Sequence, residues 1–201
     1  MVTVTECTTL GKGRLRFHLD NGTELVLYRG EAKQFRTREG STLSDEEEHQ
    51  LIYEVVGKRA KRRTMHLLEQ MDRTEQQLRE KLKQGGYPQA CIDLALEYVK
   101  SFHYVDDYRY ACTYINYRQD RMSRYQLKVK LYGKGVPGEL IDRALEECYE
   151  GDEQDQIIRL LEKKKFDAQN SDQKEFTRVY QYLMRRGFRS NDVLRAMKSK
   201  Q

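Results

Sequence analysis

The sequence predicts a mainly α-helical protein: three tandem three-helix repeats in an elongated array, behind a small N-terminal β-hairpin module. Three observations predict this class. The only two prolines, Pro88 and Pro137, lie 49 residues apart in one local pattern, Gly86-Tyr87-Pro88 and Gly135-Val136-Pro137. Each is followed by apolar residues at helical spacing, Ile92, Ala95, Leu96 and Ile141, Ala144, Leu145, and preceded by Leu78, Leu82 and Leu127, Leu131 at matching offsets. Only the first forty or so residues alternate in the manner of strands. A period that preserves turn and apolar spacing together marks a repeat architecture.

In chain order, residues 1–43 form the β-rich module. Leu15 to Leu19 and Thr23 to Tyr28 alternate around Asp20-Asn21-Gly22, and Asn-Gly between alternating runs is a strong hairpin signal. Gly11-Lys12-Gly13 reads as another strand connection, because no Gly-Lys-Ser/Thr follows it as a phosphate loop requires. This module is expected to be separable from the repeats.

Residues 44–104 hold a linking helix and the first repeat. Ser44-x-x-Glu47 is a capping box that opens a helix through Leu51, Ile52, Val55 and Val56, with a bend expected at Gly57. The first opener runs through Leu67 and Leu68 to Met71, and Thr74-x-x-Gln77 starts the next helix. Residues 105–150 form the second repeat. Its opener is expected from Asp106 to about Arg121, with Tyr110, Ala111, Tyr114 and Ile115 on one face, and Ser123-x-x-Gln126 starts its second helix. Asp106 and Asp107 suit a helix N-terminus, and Arg118 and Arg121 suit a C-terminus. Residues 151–201 form a diverged third repeat opening near Asp152. There Gly187-Phe188 replaces Gly135-Val136 at an offset of 52, and Ser190 stands in for the proline as a cap. A unit this small buries little apolar surface alone, so the repeats are expected to stack.

Apolar residues are 38% of the chain and charged residues 34%, which suits a helical array better than a compact enzyme core. No apolar run is long enough to span a membrane and no signal peptide opens the chain, so a cytoplasmic address and no membrane partner are expected. The four cysteines are scattered without Cys-x-x-Cys, and Cys91 and Cys112, beside apolar helix positions, read as buried free thiols. Charge is uneven. Residues 1–57 carry 7 basic and 10 acidic side chains, whereas residues 58–201 carry 30 and 22. Basic clusters fall at Lys58–Arg63, Tyr108–Lys134 and Arg178–Arg189, one per repeat, and three such clusters point to a polyanionic or acidic partner. The adjacent acids Asp106 and Asp107 point in different directions on a helix, so they make a poor catalytic pair. Without a nucleophile elbow, a His-Glu-x-x-His or a histidine cluster, the sequence argues against an enzyme and implies no cofactor.

The chain resembles the RecX family, regulators of the RecA recombinase. The resemblance rests on Leu67-Leu68, Asp72-Arg73-Thr74-Glu75, Leu78, Lys81 and Leu82 in the first repeat. In the second it rests on Asp106-Asp107-Tyr108-Arg109-Tyr110-Ala111, Tyr114, Arg118, Leu127, Leu131, Lys134-Gly135-Val136, Ile141 and Ala144-Leu145. It covers about residues 60 to 201. The family's usual Phe is Tyr110 here, its usual Arg after Ala is Cys112, and Glu69-Gln70-Met71 stands where Arg is common.

The resemblance implies a monomeric, non-enzymatic modulator that binds the RecA–DNA filament. Such a protein limits filament extension, ATPase and strand exchange, with weak, salt-dependent contact to single- or double-stranded DNA. The expected contact residues are Arg109, Arg118, Arg121, Arg124, Lys128 and Lys134. Arg118 and Lys134 match the family pattern, and the others rest on charge. Two competing readings are a helix-turn-helix transcriptional regulator and a helical scaffold that binds protein alone. The third helices begin Pro88-Gln89-Ala90 and Pro137-Gly138-Glu139, which are poor readers of phosphates or bases.

Overall fold

A computed structural model describes residues 1–199. The chain divides into two compact units, residues 1–106 and from residue 107 onward.

The first unit begins with a four-stranded antiparallel sheet in the order β3-β2-β1-β4, formed by β1 (Val2–Gly11), β2 (Arg14–Leu19), β3 (Glu24–Tyr28) and β4 (Thr42–Leu43). The β1–β2 turn places Gly11, Lys12 and Gly13 all at positive φ, which is why two glycines stand there. In the β2–β3 hairpin the Asn21 side chain accepts from the Thr23 amide at 3.0 Å. Leu15 pairs with Leu27 and Phe17 with Leu25, so one face of the hairpin is apolar. A short helix α1 (Arg29–Gln34) separates β3 from β4.

Ser44 and Glu47 form the expected reciprocal capping box at the start of α2 (Asp45–His49). The helix then widens into a π-helical stretch, Gln50–Val56, and continues as α3 (Gly57–Gln70). Gly57 does not bend it. Its backbone is helical, and a Cβ there would lie 2.8 Å from the Leu94 side chain, so the glycine serves close packing of α3 on the first repeat's third helix. The expected irregularity is real but lies in the preceding turn.

The first repeat comprises α3, α4 (Glu75–Gln84) and α5 (Gln89–Ser101). Its core is continuous with that of the sheet: Phe17, Leu25, Leu27 and Leu43 belong to the same buried cluster as Leu51, Leu78, Leu82, Ile92 and Val99. The buried Val26 of β3, on the strand face opposite Leu25 and Leu27, meets Gly86 of the repeat's turn, where a Cβ would come within 2.8 Å. Arg59 of α3 donates to Glu31 at 2.7 Å and to the Val26 carbonyl, stitching helix to sheet. The separable module expected from the alternating pattern is therefore one layer of a shared core.

In the second unit, α6 (Asp107–Arg118), α7 (Arg124–Tyr132) and α8 (Gly138–Cys148) make the second repeat. The third comprises α9 (Glu153–Lys163), α10 (Gln173–Met184) and α11 (Ser190–Ser199). The repeat correspondences hold in three dimensions. Leu78 and Leu82, Leu127 and Leu131, and Val179 and Leu183 are all buried, as are Ile92, Ile141 and Val193 and the alanines 95, 144 and 196. Gly86, Gly135 and Gly187 all take positive φ in the turn. Arg189, rather than Ser190, replaces the prolines: its carbonyl accepts from Val193, as Pro88 does from Ile92 and Pro137 from Ile141. The Ser190 hydroxyl instead bonds that of Tyr180 at 2.9 Å.

Repeats two and three are joined at the start of α7. Ser123 accepts from the Gln126 amide as the helix cap, and its hydroxyl donates to the Gly187 carbonyl at 2.7 Å. Its own amide donates to the Arg186 carbonyl at 3.1 Å.

Candidate partner-binding surface

The second repeat gathers the predicted cations unevenly. Arg118 ends α6, Arg121 lies in the following turn rather than in the helix, and Arg124 opens α7. The Arg121 amide donates to the Arg118 carbonyl at 3.0 Å, so these three exposed side chains surround one junction. Arg109 is remote from them. Nine residues along α6 is about 13 Å and half a turn out of phase with Arg118.

Lys128 is exposed but forms an ion pair with Asp142 of α8. Lys134 is half-buried, and its ammonium lies 5.4 Å from the centre of the Tyr114 ring. The Arg118 guanidinium approaches the same ring at 5.9 Å. Tyr114 thus brings together the two cations that the family pattern selected, one from α6 and one from the turn after α7. Cations beside an aromatic ring are held by its quadrupole.

Beside this cluster, α7 carries a feature the charge pattern did not reveal. Tyr125, Val129 and Tyr132 repeat at i, i+4, i+7, which places them on one face. That face is open, with Tyr125 67% and Tyr132 70% exposed, while Leu127 and Leu131 point into the core. An apolar, tyrosine-rich stripe bordered by arginines has the composition of a protein-binding hot spot. The helical spacing of 125, 129 and 132 was readable, but the interleaved tyrosines as a group do not reveal which are core and which are surface.

The α7 N-terminus is less available to an anion. Glu153, the first residue of α9, already accepts from the Arg124 amide at 2.8 Å. The first residues of α8 include Glu139, so that helix opens with a like charge toward phosphate.

Further clusters add aromatic partners to charges of all three repeats. On α6 and α8, Arg143 lies over the Tyr108 ring at 4.4 Å, and Tyr108 and Arg143 both donate to Glu147. Those bonds hold the Glu147 carboxyl below its ordinary value. In the third repeat, Lys164 and Arg186 flank Tyr182 beside a shallow cleft also lined by Arg178 and Arg185. In the first unit, Tyr98, Phe102 and Tyr104 form an exposed ring cluster with Lys61 against Tyr98. Among the described residues no helix is long and apolar enough to cross a membrane.

Comparison with known proteins places these repeats. Three family models match in chain order: the RecX first three-helix domain at residues 60–98, the second at 106–145 and the third at 151–197. A regulatory protein RecX from Trichlorobacter lovleyi is 36% identical over 66% of this chain and 89% of its own length. One from Caldanaerobacter subterraneus subsp. tengcongensis is 29% identical over 79% of each chain. A solved structure titled as the crystal structure of regulatory protein RecX aligns over 99% of this chain and 100% of its own. Its TM-score is 0.62 at 21% identity, a likeness of fold.

Proposed function

Because the chain belongs to the RecX family, we propose that it is a non-enzymatic regulator that binds the RecA filament on DNA and limits its extension, ATPase and strand exchange. The observation that carries this reading is the second repeat's surface, where the exposed Tyr125-Val129-Tyr132 stripe runs beside Arg118, Arg121 and Arg124. Exposed aromatic rings supply desolvation energy against a protein face, and the arginines add charge-assisted bonds to its carboxylates or to nearby phosphates. Arg109, Lys128 and Lys134 complete the proposed contact set, with Lys134 acting beside Tyr114. The protein acts as a cytoplasmic monomer in this reading, and its contact with DNA is weak and salt-dependent.

The helix-turn-helix alternative is disfavoured by the glutamate in the first turn of α8, where a recognition helix needs groups that tolerate phosphate and read base edges. Titrating the protein into DNA-stimulated ATP hydrolysis by the cognate recombinase tests the proposal. Dose-dependent suppression on single strands of any sequence supports it. Unchanged hydrolysis at saturating protein, or a footprint confined to one DNA sequence, refutes it.

A further inference from the structure

We propose that Cys112 and Cys148 form a redox modification site, a dithiol that a low-molecular-weight disulfide converts into an intramolecular cystine tying α6 to α8. The two sulfurs lie 2.6 Å apart, one on each helix, packed against the core of the second repeat. Both residues are half-buried rather than sealed in the interior. Cys91, by contrast, is fully buried with its sulfur against the Ile52 carbonyl at 3.2 Å. Forming the bond requires the sulfurs to close by roughly half an ångström and to rotate into disulfide geometry.

The chemistry balances in two exchanges. One cysteine thiolate attacks the small disulfide, making a mixed disulfide and releasing one small thiolate. The second cysteine thiolate then attacks the protein sulfur of that mixed disulfide and expels the other. Two protein thiols lose their protons and two electrons, and the small disulfide leaves as two thiols.

Burial and the Cys112 sulfur push the Cys148 thiol up to about 11, so little thiolate exists at neutral pH. Tyr108 on α6, with Glu147 and Arg143 on α8, are the ionisable groups around the pair. Once either sulfur is in mixed disulfide, its neighbour already sits at attacking distance, which favours ring closure over release. The bond would close a long loop containing all of α7 and so restrict the unfolded second repeat. It would also clamp α6, the helix that bears Arg109, Tyr114 and Arg118. The thiol chemistry stands independently of the recombinase reading.

The test is to incubate the folded full-length chain with oxidised glutathione, quench by alkylation, and map peptides by mass spectrometry. The expected product lacks the mass of two hydrogen atoms, joins the Cys112 and Cys148 peptides, reverts with dithiothreitol and melts several degrees higher. Cys112→Ser removes this product and Cys7→Ser leaves it. The wild-type map alone decides the matter should either variant fold poorly. Persistent glutathione adducts on both cysteines, no reaction, or a bond mapped to Cys7 or Cys91 overturns the proposal.

Discussion

Arg118 and Lys128 carry the same charge in the same repeat, yet their surroundings differ. Arg118 faces solvent beside Tyr114, whereas Lys128 is paired with Asp142. Arg118→Glu is expected to raise the concentration needed to suppress recombinase ATPase by about tenfold, a loss of roughly 1.4 kcal/mol of binding. Lys128→Glu should change it much less, and should cost no more than about 1 kcal/mol of stability, as exposed pairs do. Equal effects from the two variants would show that charge alone, not position, governs binding. Gly187 offers a second contrast. At φ +82° a Cβ is strained, and here it would also meet Ser123 Oγ at 2.7 Å and Gln126 Cβ at 2.8 Å. Gly22 has φ +81° with open space around it. Gly22→Ala should cost about 1–2 kcal/mol from backbone strain, and Gly187→Ala distinctly more, measured by denaturant unfolding. Glu75 supplies a pH signature. Burial alone would raise its carboxyl, but Lys100 and Arg79 outweigh that and hold it below its ordinary value of 4.5. The folded value is depressed, so this stabilisation is full above pH 4.5 and is lost as pH falls through the folded value. Glu75→Gln should therefore flatten the acid limb of the stability–pH curve.

Among the elements, the helix starts were the most legible in sequence, because a cap is a local event. Ser44, Thr74 and Ser123 all accept the amide three residues on. The hairpin at Asn21-Gly22 was legible for the same reason. What escaped is non-local. The π-helical turn at Gln50–Val56 keeps Leu51, Ile52 and Val56 buried while α3 stays against α5, and no sequence periodicity encodes that compromise. Arg59 read as part of a solvated basic cluster, but it is spent on Glu31 and the β3 edge. Cys112 and Cys148 lie 36 residues apart and meet only because α6 packs on α8. The proposed surface was half legible: the family pattern found Arg118 and Lys134 and charge found Arg121 and Arg124, while the stripe on α7 required knowing which tyrosines face outward. Ser123 has a second role that its cap motif did not announce, the bond to Gly187. Ser123→Ala is expected to cost about 1–3 kcal/mol, with a cap and a buried carbonyl both left unmet. Hydrogen exchange should then accelerate at the start of α7 and in the Arg186–Gly187 turn together. Acceleration confined to α7 would mean the link between repeats carries no energy.

At the scale of the whole molecule, the two compact units predict an uneven response to truncation. Removing residues 1–43 takes Phe17, Leu25, Leu27 and Leu43 out of the core that also holds Leu51 and Ile92. Each large side chain lost from such a site leaves a partner surface worth roughly 2 kcal/mol or more open to water. The truncated chain is expected to lose protection in α3 to α5 while the second unit, whose cores are separate, retains it. Exchange mass spectrometry reads this directly, and uniform protection in the first unit after truncation would show that its helices do not need the sheet. The shared core also sets a timetable. The sheet's last strand ends at Leu43, but α5 ends only at Ser101. At a synthesis rate of about 5–20 residues per second, the sheet's half of that core waits roughly 3–12 s for its other half. During that interval Leu25 and Leu27 belong to an unfinished surface, and the nascent chain is a client for whatever shields apolar segments at the ribosome exit.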